Sequence, residues 1–283
     1  MSLRSSYLKI FGCLAWLVIS QSCKNDPIPK PESTNAPEPA VNTVQVPSVI
    51  NYDIIAEYPH DPKAFTEGLE FKDGYLYESI GQYGISDIRK VELKTGKVVS
   101  STKMAAKYFG EGMTLLNDKI YQLTYREGAG FIYSQKDLKV VGTFGFTAPE
   151  GWGMTNNGTS LIYDDGGSVL HFIDPSTFKE TKSLNVFDEH GPVTYINELE
   201  LIHGFIYANQ WQSDYILKID TATGRVVGRA DLGNLRQRIG VRQPSGNPNG
   251  PDVLNGIAWD AATNKIYITG KNWPKLVEVK LDN

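Results

Sequence analysis

A hairpin recurs five times along this sequence. Glu67-Gly68-Leu69 precedes Tyr75-Leu76-Tyr77, and Glu111-Gly112-Met113 precedes Ile120-Tyr121. Trp152-Gly153-Met154 precedes Leu161-Ile162-Tyr163, Asn197-Glu198-Leu199 precedes Phe205-Ile206-Tyr207, and Asn255-Gly256-Ile257 precedes Ile266-Tyr267-Ile268. Aligned on Leu69, Met113, Met154, Leu199 and Ile257, the copies stand 44, 41, 45 and 58 residues apart, and a Gly/Pro-rich insert over 233–252 accounts for the long last interval. Asp73-Gly74, Asn117-Asp118, Asn157-Gly158, His203-Gly204 and Thr263-Asn264 separate the two strands of each copy, the residue types that tight hairpins require. A second strand pair with a polar turn follows several hairpins, as in 88–96, 169–178 around Asp174-Pro175-Ser176, and 216–224 around Asp220-Thr221-Ala222-Thr223-Gly224. Four strands in roughly 40–50 residues make a propeller blade. The chain is therefore expected to be all-β, a five-bladed β-propeller over residues 48–283.

Residues 50–58 alternate apolar and polar side chains, and are expected to join the C-terminal blade and close the ring, which removes exposed sheet edges. Small residues at the head of the inner strands have a steric reason, because backbones crowd around a propeller axis. No segment carries an amphipathic helix of three turns. The nearest candidate, 231–242, is interrupted by Gly233 and Gly240.

The charge balance narrows the partners. With 28 Lys and Arg against 32 Asp and Glu, there is no basic excess to neutralise phosphates, so nucleic acid is not expected to bind. Both cysteines, Cys13 and Cys23, lie near the N-terminus, so the body has no disulfide scaffold, cysteine nucleophile or thiolate zinc site. His60, His171, His190 and His203 show no metal-ligand spacing.

The first 47 residues read as export machinery. Arg4 and Lys9 precede an apolar run over 10–19, the length of a signal-peptide core and too short to span a bilayer. Ser20-Gln21-Ser22-Cys23 follows, which resembles a bacterial lipoprotein signal. The expected organisation is a signal peptide over 1–22 with cleavage before a lipidated Cys23, a Pro-rich tether over 23–47, and the propeller beyond. Ordinary secretion with cleavage near Ser22 is the alternative. Either places the domain outside the cytoplasm, in the periplasm or at the cell surface, and lipidation would hold it to a membrane. Loss of Arg4 and Lys9 with the signal deepens the net charge from −4 to −6.

Propellers bind ligands where the heads of the inner strands converge at one mouth of the channel. The residues at those heads are Phe65 and Glu67, Phe109 and Glu111, Trp152, Asn197 and Glu198, and Asn255. This mixture of acids, amides and large rings suits a small polar group beside an apolar one. Trp211 sits among polar neighbours in Asn209-Gln210-Trp211-Gln212, and Lys271 ends the last inner hairpin. Each also has a purely structural reading: the phenylalanines as packing between blades, the acids and the lysine as solvated charges.

Five stretches resemble the glutamine cyclotransferase family in its plant type. They are residues 60–69, His-Asp-Pro-Lys-Ala-Phe-Thr-Glu-Gly-Leu; residues 108–114, Tyr-Phe-Gly-Glu-Gly-Met-Thr; Asp164-Asp165-Gly166 with Gly151-Trp152-Gly153; Asn197-Glu198-Leu199-Glu200 with Asn209-Gln210-Trp211-Gln212; and residues 253–259 with 269–275. The resemblance implies a five-bladed propeller that uses no metal or other cofactor, acts as a monomer, and turns the N-terminal glutamine of peptides or proteins into 5-oxoproline with release of ammonia. It implies that Glu111 is the acid/base, that Lys271 and Asn197 polarise the amide and hold the oxyanion, and that Phe65, Phe109, Trp152 and Trp211 wall the pocket. Tyr125 stands where some members carry Trp. Glu67 stands where plant members carry Gln, and either binds the substrate's ammonium or competes with Glu111 for a proton. With Arg236, Arg238 and Arg242, the insert is expected to shape recognition beyond the first residue.

Two other classes remain open on the sequence. Glu67, Glu111, Asn197 and Asn255 could ring a calcium ion in a propeller hydrolase such as a lactonase, or the domain could be a surface-tethered binding module without catalysis.

Overall fold

The computed structural model describes residues 45–241 and 253–282. The signal segment, Cys23, the tether up to residue 44, and residues 242–252 of the insert lie outside the described residues. The chain divides after Asn42, and everything described belongs to the unit Thr43–Asn283.

Five sheets radiate around one axis. Blade 1 comprises Thr66–Lys72, Tyr75–Ile80, Asp87–Glu92 and Lys97–Lys103; blade 2 comprises Gly110–Leu116, Lys119–Thr124, Ala129–Ser134 and Val140–Gly145. Blade 3 comprises Met154–Asn156, Leu161–Asp164, Val169–Ile173 and Glu180–Asn185. Blade 4 comprises Ile196–Ile202, Phe205–Gln210, Tyr215–Asp220 and Val226–Asp231; blade 5 contains Leu254–Asp260, Lys265–Gly270 and Lys275–Leu281. The fourth strand of blade 5 comes from the start of the domain, Tyr52–Pro59, which pairs antiparallel with Lys275–Leu281. The innermost strands contact their neighbours in a closed circuit, with the fifth against the first. The expected ring and its closure are both present.

The turn chemistry explains the hairpins. Asp73 and Gly74 take φ of 52° and 84°, Asn117 and Asn264 also enter the left-handed region, and His203 and Gly204 take 50° and 84°. These conformations match the twist of the flanking strands, and Asn, Asp and Gly adopt them at least cost. Between the outer strands, Asp174 accepts the amides of Ser176 and Thr177, and Asp220 accepts those of Ala222 and Thr223.

Each pair of neighbouring blades buries its own apolar layer. One such layer joins Tyr77 and Ile88 of blade 1 to Met113, Ile120 and Tyr133 of blade 2. At the closing seam, Leu69, Leu76 and Val91 meet Ala258, Tyr267 and Leu276. Around the axis the strands come closer than side chains allow. A Cβ on Gly112 would lie 2.4 Å from the Trp152 carbonyl oxygen, and one on Gly153 would lie 2.0 Å from that of Asn197.

Blade 4 solves the same crowding differently. Glu198 stands where the other blades have glycine, and its carboxyl reaches along the channel to accept the amides of Leu69 at 3.1 Å and Ile257 at 2.8 Å. Glu198 is thus a strut between blades 4, 1 and 5 and not one of the pocket residues that its position at a strand head suggested. Some further elements were not expected, among them a small ribbon of Phe187–Asp188 with Gly191–Pro192. Ser48–Ile50 adds a parallel strand to the outer edge of blade 4. Leu235–Arg238 forms a single helical turn whose Leu235 joins the apolar layer between blades 4 and 5.

Candidate active site

Four of the five inner strands begin with an irregularity of pairing. The register slips between Thr66 and Gly68, Gly110 and Met113, Ile196 and Leu199, and Leu254 and Ile257. Glu67, Glu111, Asn197 and Asn255 open these bulges, followed in the last three by Gly112, Glu198 and Gly256. A bulge re-aims side chains that a regular strand would send to one sheet face. Here it turns two acids and an amide toward the channel mouth.

Nine predicted residues converge on one cavity of about 290 Å³: Phe65, Glu67, Phe109, Glu111, Tyr125, Trp152, Asn197, Trp211 and Lys271, joined by Val253. Asn255 does not line it. Its amide is engaged behind the wall, donating to the Thr66 carbonyl at 2.9 Å and reaching the Glu67 carboxyl at 3.4 Å. It supports Glu67 from outside the cavity. The insert arginines also lie elsewhere: Arg236 sits over Trp273 and Arg238 over Tyr52, while Arg242 lies outside the described residues.

The floor of the cavity is ionic. Lys271 Nζ stands 2.7 Å from both carboxyl oxygens of Glu67 and 4.7 Å from the centre of the Phe65 ring. Glu67 in turn hydrogen-bonds to the Glu111 carboxyl. Burial pushes Glu111 well above the usual carboxylate range, and the neighbouring Glu67 charge adds to the shift. Burial also raises Glu67, with Lys271 opposing. Two buried carboxyls in hydrogen-bond contact hold a proton between them. Because Lys271 faces Glu67, the negative charge belongs on Glu67 and the proton on Glu111. Asn197 is 3% exposed, and its Oδ1 has no partner among the described residues.

The walls are rings in two groups. Phe109 meets Phe65 edge-on at 6.2 Å and Tyr125 at 5.8 Å on one side. Trp152 and Trp211 cross at 88° and 5.4 Å on the other. Each group extends to the rim through a tyrosine that sequence reasoning missed, Tyr83 against Phe109 and Tyr195 against Trp211. Neither tyrosine belongs to the hairpin repeat, so its periodicity gave no signal for them.

A buried polar layer behind the pocket was also missed. The Ser79 hydroxyl donates to the Glu111 carbonyl, Gln122 donates to Ser79, and Tyr133 donates to Gln122, so the Glu111 bulge is braced through blades 1 and 2. Asp164 accepts the amides of Gly153 and Gly166, which fixes the loop that carries Trp152.

Fold and site together define a five-bladed propeller with an acid–acid–ammonium floor between aromatic walls. Comparison with known proteins agrees. The profile of the family described as glutamine cyclotransferase matches residues 30–281. A glutaminyl-peptide cyclotransferase of Arabidopsis thaliana is 43% identical over 230 residues, spanning 81% of this chain and 71% of the plant protein. The crystal structure of Myxococcus xanthus glutaminyl cyclase matches with a TM-score of 0.77 at 37% identity, over 83% of this chain and 98% of that one. The chain belongs to the glutamine cyclotransferase family.

Proposed function

We propose that this protein is an enzyme that closes the N-terminal glutamine of peptides or proteins into 5-oxoproline and releases ammonia. The observation that carries the reading is the meeting of Glu111, Glu67 and Lys271 in one aromatic-walled cavity. The similarity to a plant glutaminyl-peptide cyclotransferase and to a Myxococcus glutaminyl cyclase supports it.

The chemistry follows from the protonation pattern. The neutral α-amine attacks the side-chain amide carbon; the new N–C bond forms, the bond to the amide nitrogen breaks, and one amine proton ends on ammonia. Glu111, kept protonated by burial and by Glu67, donates to the leaving nitrogen from one carboxyl oxygen and collects the amine proton on the other. Lys271 places positive charge where the amide oxygen gains negative charge. The rings hold the flexible glutaminyl stem folded on itself, which removes rotational freedom before reaction.

Asn197 carries an amide N–H that can donate to the oxyanion, the role that the resemblance implies, and an oxygen beside it. Its Oδ1 has no partner among the described residues and is an acceptor suited to a substrate N–H. A calcium site on Glu67, Glu111 and Asn197 meets a physical objection, because the Lys271 ammonium already stands 2.7 Å from Glu67, where a cation would be drawn.

Ammonia release from Gln-initiated peptides, with and without chelator, tests the proposal. Turnover that persists with chelator supports it, and turnover that chelator abolishes restores the metal-dependent reading. Export and a lipid anchor at Cys23 are part of the same proposal. They are supported by Arg4, Lys9, the apolar run and the proline tether, and tested by fatty-acid labelling of wild type against Cys23→Ser. The domain acts as a monomer, which sedimentation checks.

A further inference from the structure

The lysine of the pocket sits on a loop, and the loop is held from across the seam where the ring closes. Lys271 follows the second strand of blade 5, in a turn where Asn272 adopts φ of 58°. Residues 60–65, which run from the outer strand of blade 5 into blade 1, are laced to this turn. The His60 amide donates to the Pro274 carbonyl at 3.0 Å, and the Asn272 amide donates to the Ala64 carbonyl at 2.7 Å. The His60 ring adds the third tie, with Nδ1 2.6 Å from the Trp273 carbonyl oxygen and Nε2 2.8 Å from Glu78 Oε1.

Both ring nitrogens of His60 thus face oxygen acceptors. A carbonyl accepts only, and an ionised carboxylate accepts only, so a neutral imidazole could satisfy one and would point a lone pair at the other. The imidazolium satisfies both. Glu78 is suited to the role: it is 2% exposed and also receives the Thr66 hydroxyl at 2.7 Å. Asp61 and Arg89 are the other charged groups nearby, and Arg89 is held by Asp87 and Asp61. Burial works against the charged ring, but Glu78, the Trp273 carbonyl and Asp61 hold His60 above its ordinary pKa, while His60 holds Glu78 below its own.

We propose that the His60 imidazolium is a positioning residue for Lys271: donating at once to Glu78 in blade 1 and to the Trp273 carbonyl, it fixes the loop that carries the pocket's ammonium. The inference rests on the cyclisation reading only for its kinetic consequence. Lys271 acts on charge that develops in the transition state, so a displaced loop lowers kcat more than it raises KM. Misplacement by about 1 Å costs up to roughly a hundredfold in rate.

The test pairs kinetics with a measurement that needs no activity. In 15N-histidine-labelled protein, both His60 nitrogens are expected to carry protons at pH 7.5, when a free imidazole is mostly neutral. His60→Gln keeps a donor for Glu78 and loses the Trp273 tie. His60→Asn keeps a donor near the Trp273 carbonyl and loses Glu78. His60→Gln is expected to shift the Lys271 ε-methylene signals away from the Phe65 ring and to lower kcat about ten- to a hundredfold with KM within about threefold. His60→Asn should recover part of that loss. A neutral His60 at pH 7.5, or His60→Gln with unmoved Lys271 signals and wild-type kcat, overturns the proposal. Should the wild type release no ammonia while His60 is doubly protonated and the Lys271 signals respond, the lock stands and the cyclisation reading falls.

Discussion

Gly112→Ala probes the link between the propeller's packing and its chemistry. The added Cβ would lie 2.4 Å from the Trp152 carbonyl oxygen and 2.5 Å from the Met154 amide nitrogen, both rigid backbone, whereas ordinary contact begins near 3.4 Å. Blades 2 and 3 must therefore separate by about 1 Å at the axis, close to the spacing of one methyl-sized intrusion. That movement strains the 2.6 Å hydrogen bond from the Gly112 amide to Trp152. Overpacking costs about 1–3 kcal/mol and a buried, unpaired carbonyl about 1–3 more. A domain of this size should lose on the order of 10 °C in Tm. The neighbours of the clash are Glu111 and Trp152, both in the pocket, so kcat of the folded fraction should fall roughly a hundredfold. Thermal unfolding and steady-state ammonia release, measured on the same preparation, separate the two effects. Wild-type Tm refutes the steric argument, and lowered Tm with unchanged kcat refutes the coupling of blade spacing to pocket geometry.

Other substitutions test separate parts of the account. Glu67→Gln removes the charge that helps keep Glu111 protonated and leaves Lys271 to face Glu111, so the Glu111 pKa falls and activity is lost at lower pH on the alkaline side; a pH–rate profile unchanged from wild type contradicts the shared proton. Trp211→Ala removes a crossed ring partner of Trp152 and should raise KM roughly tenfold, about 1.5 kcal/mol, with kcat nearly constant, as initial-rate kinetics on a Gln-initiated dipeptide will show. Leu76→Ala, at the closing seam, should lower unfolding free energy by about 2–5 kcal/mol in denaturant titration, while a surface-like loss below about 0.5 kcal/mol would contradict its place in that layer.

The fold was legible because its information is local and repeated. Asp73-Gly74 and His203-Gly204 fix hairpin turns by backbone chemistry alone, and the roughly constant interval between copies fixes the blade count. The alternating pattern over 50–58 likewise announced the closing strand, which runs over Tyr52–Pro59. Much of the site was legible for a related reason, since Glu67, Glu111, Trp152 and Asn197 occupy the same place in four successive copies. What escaped depends on contacts distant in sequence. Lys271 and Glu67 are 204 residues apart, and nothing near either one signals their pairing. Glu198 sits at a strand head like Glu111, but its carboxyl turns along the channel to two backbone amides, a direction set by the ring and not by its neighbours in sequence. Asn255 looked equivalent to Asn197, yet its amide is taken by the Thr66 carbonyl of the next blade. The alternating run over 50–58 takes in Ile50 of the strand Ser48–Ile50, and only the three-dimensional path separates a parallel partner in blade 4 from an antiparallel one in blade 5.

Turnover of a Gln-initiated peptide by Glu111→Gln, beside wild type at matched folded fraction, bears most directly on the claim that a buried carboxylic acid carries the proton between the two nitrogens. Ammonia release should drop by at least about a hundredfold while peptide affinity stays within severalfold of wild type. Release within about threefold of wild type would mean that the proton travels by another route.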